Sequence, residues 1–245
     1  MRSDQIVVSV EHASARVPAR LEGLGLPDSW LQTHHGWDPG AALVGRFLAR
    51  RFGVPLHLGR WSRLVADLNR SSFHPRVVPK TTGTRSIPAN QDLSSAARQQ
   101  RLAGYWLPYR TAVEADLDRV VARHGRVLHI SVHSFAPRLR DQVRSNHFGL
   151  LYGPSRKLER AMADRWGGLL SEAGFRVRRN YPYSGLEDGF CMRMRAERPP
   201  RTYLGMEIEM NQRWVRRPAG ARRFAEALAA VLGSECQDCG GVSRA

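Results

Sequence analysis

Two short apolar runs in the sequence lead into histidine. Ile6–Val10 breaks into Glu11, His12, Ala13 and Ser14, and the run beginning at Val127 reaches His133, Ser134 and Phe135. Continuous β-rich runs of this length read as strands buried on both faces of a parallel or mixed sheet. Polar, metal-competent residues just past the carboxyl end of such a strand lie where open α/β sheets place their ligands. If the two strands are neighbours, His12 and His133 meet at one rim of the sheet. Two histidines and a carboxylate around an open fourth position make a catalytic zinc site. Asp38, Glu11, Glu207 and Glu209 are the candidate carboxylates. Glu207 and Glu209 stand two apart in the apolar run 202–210, so both face one side. Carboxylates there are costly unless paired or ligating, and one suits an arginine partner while the other suits a general base. Arg63 and Arg70 flank Asp67 and Asn69. That pattern fits an Asp–Arg ion pair bracing a turn, or a guanidinium fork for a substrate carboxylate.

The elements that must position these residues alternate along the chain. The sequence predicts strands over 6–10, 54–58, 61–70, 127–134, 148–152, 175–179 and 202–210. It predicts helices over 29–33, from Pro39 to Gly53, over 93–124 with a break at Pro108, and over 155–173 and 218–232. Asp38 falls at the start of the second helix, where a carboxylate is also a natural cap. Residues 71–92 form a long loop, the kind that is functional or mobile in a compact domain. Alternation without repeats or linkers implies a three-layer α/β/α sandwich around a mixed, largely parallel sheet. One domain is expected over 1–233, followed by a flexible tail at 234–245. His129 lies deeper in its strand than His133 and reads as a core histidine satisfied by backbone.

The net charge of +16 points towards anionic partners. Lys80 and Lys157 are the only lysines among 38 basic residues, so the bias is compositional. The arginines run along the whole chain without a helix-turn-helix, zinc-finger or RNP signature, which speaks against specific nucleic-acid recognition. The alternative to an enzyme is a non-catalytic basic module for acidic ligands or nucleic acid. No apolar run of about 18 residues predicts a membrane helix, and the amino terminus lacks the apolar core of a signal peptide. A cytoplasmic protein is expected. Cys236 and Cys239 form a CxxC without a second ligand pair, which reads as a terminus, not a zinc site.

The stretches VSVEHASARVP, HHGWDPGA, SRLVADLNR, IPAN, SVHSFAP, NYPY and EIEMNQ, in this order from Val8 to Gln212, carry a family pattern. The sequence resembles the N-formylglutamate amidohydrolases, within the wider group of zinc carboxypeptidase-like hydrolases. The resemblance implies a phosphorylase/hydrolase-like, zinc exopeptidase-like fold and a zinc-dependent hydrolase. Its substrate would be a small N-acyl amino acid, with N-formylglutamate as the leading candidate. It implies His12 and His133 as zinc ligands, with Asp38 of WDPGA as the third. The glutamate that carboxypeptidase-like enzymes carry three residues after the first histidine is replaced here by Ala15. It implies Asn69 and Arg70 as the receivers of a substrate carboxylate. Glu209 is implied as the general base, with Glu207 in reserve; in the mechanism these roles suggest, Arg63 is expected to help the zinc stabilise the oxyanion. Two stretches depart from the family pattern: Glu209-Met-Asn-Gln-Arg-Trp, and the PRLRDQVR loop after HSF.

Overall fold

The computed structural model describes residues 1–237. In chain order its elements are β1 (Ile6–Val10), α1 (Asp28–Leu31), α2 (Ala41–Phe52), β2 (Leu56–Leu58), β3 (Thr81–Thr82), β4 (Arg85–Ser86) and α3 (Ser95–Arg101). They continue with α4 (Leu107–His124), β5 (Val127–Phe135), β6 (Arg138–Leu139), β7 (Gln142–Val143), β8 (Phe148–Leu151) and α5 (Lys157–Glu172). Last come β9 (Val177–Arg179), α6 (Phe190–Glu197), β10 (Tyr203–Asn211), α7 (Gln212–Val215) and α8 (Pro218–Gln237). Six strands form one sheet in the order β2-β1-β5-β10-β8-β9. The first four are mutually parallel, β8 runs antiparallel to β10, and β9 is parallel to β8. This is the mixed, largely parallel sheet that the alternating pattern predicts.

The two faces of the sheet differ, and the difference creates the site. Even-numbered residues of the central strands, such as Val8, Ile130, Val132, Met206 and Ile208, pack into one large apolar cluster. Ala41, Val44 and Leu48 of α2, Trp166 and Leu170 of α5, and Phe224 and Leu228 of α8 complete it. Odd-numbered residues face the other way. Towards the amino ends Val7, Val127 and Tyr203 pack on Val113 and Leu117 of α4 and on Phe190 and Met194 of α6. Towards the carboxyl ends the same face turns polar, through Ser131, His133, Glu207 and Glu209, all buried. A period of two therefore delivers apolar cover on one face and chemistry on the other.

The structure corrects several sequence expectations. Trp61–Arg70 is not a strand but a run of turns. Its backbone bonds outward to loops, with Ser62 N donating to Arg16 O (2.7 Å) and Asp67 N to Val77 O (2.7 Å). Its adjacent Leu64 and Val65 are both buried in one cluster with Leu24, Leu31 and Ile87, which strand alternation would not allow. The break in the long helix comes before Pro108, as a π-turn over Leu102–Trp106, and Pro108 sits in the first turn of α4 where its missing N–H costs nothing. Helix α6 falls in a stretch, between the 175–179 and 202–210 strands, for which the sequence predicts no element. Helix α8 runs on through Gln237; Cys239 lies outside the described residues. The long loop 71–92 holds the small β3–β4 hairpin.

Candidate active site

Strands β1 and β5 are parallel neighbours, so Glu11–His12 and His133 emerge together. The two imidazole rings lie 5.0 Å apart between centroids. Asp38 reaches them from the turn before α2. That turn needs Gly40 at φ +89°, where a Cβ would lie 2.3 Å from the Val215 carbonyl oxygen. Asp38 N donates to His12 O at 2.9 Å, which pins the turn to the end of β1. The Asp38 side chain does not cap α2: its Oδ2 lies 2.8 Å from His133 Nδ1 and 3.3 Å from His12 Nδ1.

These three buried residues each offer one donor atom, and the three atoms lie within 4.8 Å of one another. A tetrahedral ion with bonds of about 2.1 Å sets its donors about 3.4 Å apart, so the spacing suits a small divalent metal. The far ring nitrogens are held as metal-binding histidines require. His12 Nε2 lies 2.7 Å from Asp67 Oδ1. His133 Nε2 lies 3.0 Å from Ser131 Oγ and 3.1 Å from Glu11 Oε2. Arg63 braces the acids from the partly exposed side, 3.1 Å from Asp67 Oδ2 and 3.4 Å from Asp38 Oδ1.

The electrostatics fit a cation-binding site. Burial alone would raise the Asp38 carboxyl, yet the two histidines beside it hold it well below the carboxylate range. Burial would likewise raise Glu11, but His133 keeps it ionised. Burial would lower His133, and Asp38 and Glu11 overcome this and push it well up. A metal held here would replace the proton on His133 Nδ1. Glu209 is the register partner of His133 on the adjacent strand. Its Oε2 is buried without a hydrogen-bond partner. Burial pushes the Glu209 carboxyl up to about 8, against the pull of His133. Glu207, two residues earlier, lies 3.6 Å from Arg195, which also binds Glu159 at 2.8 Å.

Asn69 and Arg70 stand on a neighbouring wall. Asn69 Oδ1 accepts from Phe190 N at 2.7 Å at the start of α6, and Arg70 donates to the Asp188 carbonyl oxygen. His129 is a core histidine, but its partners are side chains, Ser9 Oγ at 2.7 Å and Tyr203 OH at 2.9 Å, not backbone. The holding roles of Glu11 and Asp67 were not read from the sequence. Glu11 figured as a possible ligand and Asp67 as an arginine partner, although each stands beside a site motif. Tyr183, in NYPY, is also drawn in: burial first and the Glu209 carboxylate second push its hydroxyl upward.

The fold is α/β, and this cluster lies at the carboxyl rim of its parallel strands. The chain matches the N-formylglutamate amidohydrolase family over residues 4–215 and belongs to that family. It is therefore an amidohydrolase. Its structure is similar to that of gene product Atu2144 from Agrobacterium tumefaciens, with a TM-score of 0.86 and 30% identity over 96% of this chain and 92% of that one. It shares its fold with an N-formylglutamate amidohydrolase from Ralstonia eutropha, with a TM-score of 0.74 and 20% identity over 97% and 94% of the two chains. No curated protein matches the sequence. Among the described residues, no helix is long and apolar enough to cross a membrane.

Proposed function

We propose that the chain is a zinc-dependent amidohydrolase that removes the formyl or another acyl group from the nitrogen of an acidic amino acid, with N-formyl-L-glutamate as first candidate. One observation carries this reading: the clustered donors of His12, Asp38 and His133 lie beside a buried Glu209 oxygen that has no partner. Zinc held by those three side chains would supply a Lewis acid and make water acidic enough to react near neutral pH. The chain's own groups do the rest. Ionised by the charge of a divalent ion held beside it, which would offset the burial that raises its carboxyl, Glu209 accepts a proton from the water that attacks the acyl carbon. Arg63 donates to the oxygen on which negative charge develops. Glu209 then returns the proton to the leaving nitrogen as the C–N bond breaks, giving the free carboxylic acid and the amine. Asp67 and Glu11 fix the ring orientations, and Asn69 and Arg70 shape the wall around Asp188. The test is to assay zinc-loaded protein against N-formyl, N-acetyl and longer N-acyl forms of acidic and neutral amino acids. Turnover restricted to acidic N-acyl amino acids supports the reading. Zinc-independent turnover, or none on any of these amides, overturns it.

A further inference from the structure

Arg144 is a buried cation without a counter-ion. It is 4% exposed. Its Nε finds no acceptor, and among the described residues it forms no ion pair. Its one side-chain hydrogen bond is a long 3.5 Å from Nη1 to the Tyr183 hydroxyl. Other buried arginines of this chain are provided for: Arg195 has Glu159 at 2.8 Å and two backbone carbonyls, and Arg101 has Asn90 at 2.6 Å. An unpaired buried guanidinium costs several kcal/mol in order of magnitude, so one retained beside a site points to an anion that arrives with the ligand.

The position of Arg144 says which anion. Its backbone is clamped at the ends of the two strands that bear His133 and Glu209. Arg144 O accepts from Asn211 Nδ2 at 2.8 Å, and its guanidinium lies 5.9 Å from the Phe135 ring. Phe135 and Asn211 are register partners, as are His133 and Glu209 two residues earlier on the same face. Two residues of strand span about 7 Å. In an N-acyl amino acid the acyl carbon and the α-carboxylate carbon are three bonds apart, about 3–4 Å. A forked guanidinium–carboxylate pair adds about 4 Å between carbons. The strand ends that carry Phe135 and Asn211, where Arg144 sits, thus lie about as far beyond the base as a guanidinium paired with the α-carboxylate lies from the scissile acyl carbon.

Building on the amidohydrolase reading above, we infer that Arg144, steadied by Tyr183, is the substrate-binding residue that receives the α-carboxylate of the N-acyl amino acid. Tyr183, 37% exposed, lies against the guanidinium with its ring 5.3 Å away and can close over the bound carboxylate. The side chain of the amino acid then points away from this pair, so selection for acidic side chains falls to other residues.

The test compares N-formyl-L-glutamate with its α-carboxamide on zinc-loaded wild type, Arg144→Leu, Arg144→Lys and Arg70→Lys. Arg144→Leu should lower kcat/KM for the acid by about 10- to 100-fold, the worth of one charge-assisted pair, and leave the α-amide within about twofold. Arg144→Lys, which keeps the charge and loses the fork, should show the same selective loss in smaller measure. Equal losses on both substrates, or the selective loss appearing in Arg70→Lys instead, overturn the assignment. A wild type that hydrolyses neither compound sinks the functional reading, and calorimetry then judges Arg144 by itself. The acid must bind wild type at least about tenfold tighter than its α-amide, and the two must bind Arg144→Leu alike. Absence of that difference refutes the inference.

Discussion

At the scale of single residues, the site separates side chains that offer donor atoms from those that hold them. His12, Asp38 and His133 offer donors; Asp67, Glu11 and Ser131 hold. Replacing a ligand by alanine should abolish stoichiometric zinc binding while the fold persists, because the apolar core on the other sheet face is untouched. Asp67→Asn and Glu11→Gln should keep the metal but weaken it by about 10- to 100-fold, the usual worth of such partners. Competition with a chromophoric chelator measures both. The raised pKa of His133 adds a sign. A proton must leave this ring before it can ligate, so zinc affinity should weaken as the pH falls, and more steeply than in a Glu11→Gln variant, where the proton is held less tightly. Titration at several pH values against the same chelator checks the slope.

At the scale of elements, β5 carries both a structural and a functional histidine. His129 is fully buried, and burial pushes it down to about 4 from the ordinary 6.5. The unfolded chain therefore binds this proton more readily, and folding stability should fall as the pH drops from 6.5 towards 4. His129→Gln should flatten that acid-side loss in chemical denaturation curves. The buried strands, the α/β/α alternation and the shared face of Glu207 and Glu209 were all legible in the sequence, because apolar runs and a period of two are local signals. The turn run at Trp61–Arg70 was not. Its apolar residues look like a strand, but they are buried beneath Leu24, Leu26, Leu31 of α1 and Ile87, contacts with no local signature. For the same reason Asp67 was read with the arginines beside it and not with His12, 55 positions away. Helix α6 was hidden because its arginines and methionines give it almost no amphipathic period.

At the scale of the whole molecule, a few arginines are put to internal use while most of the described ones are exposed. Arg195, Arg156 and Arg110 reach carboxylates or backbone carbonyls within the fold, and Arg101 reaches the Asn90 amide oxygen. Residual positive surface should give only salt-sensitive, sequence-independent binding to nucleic acid, lost by about 0.2 M salt in a fluorescence-anisotropy titration; binding that resists salt and prefers one sequence would revive the basic-module reading. The account as a whole turns on a buried carboxyl beside a two-histidine, one-aspartate cluster. Glu209→Gln changes one atom of that carboxyl, so the most direct measurement is formate release from N-formyl-L-glutamate by zinc-loaded wild type and Glu209→Gln, with zinc content determined on the same samples. The account predicts undiminished zinc and turnover lower by about 10²- to 10⁴-fold. Turnover undiminished in Glu209→Gln, or lost only where zinc is also lost, would contradict it.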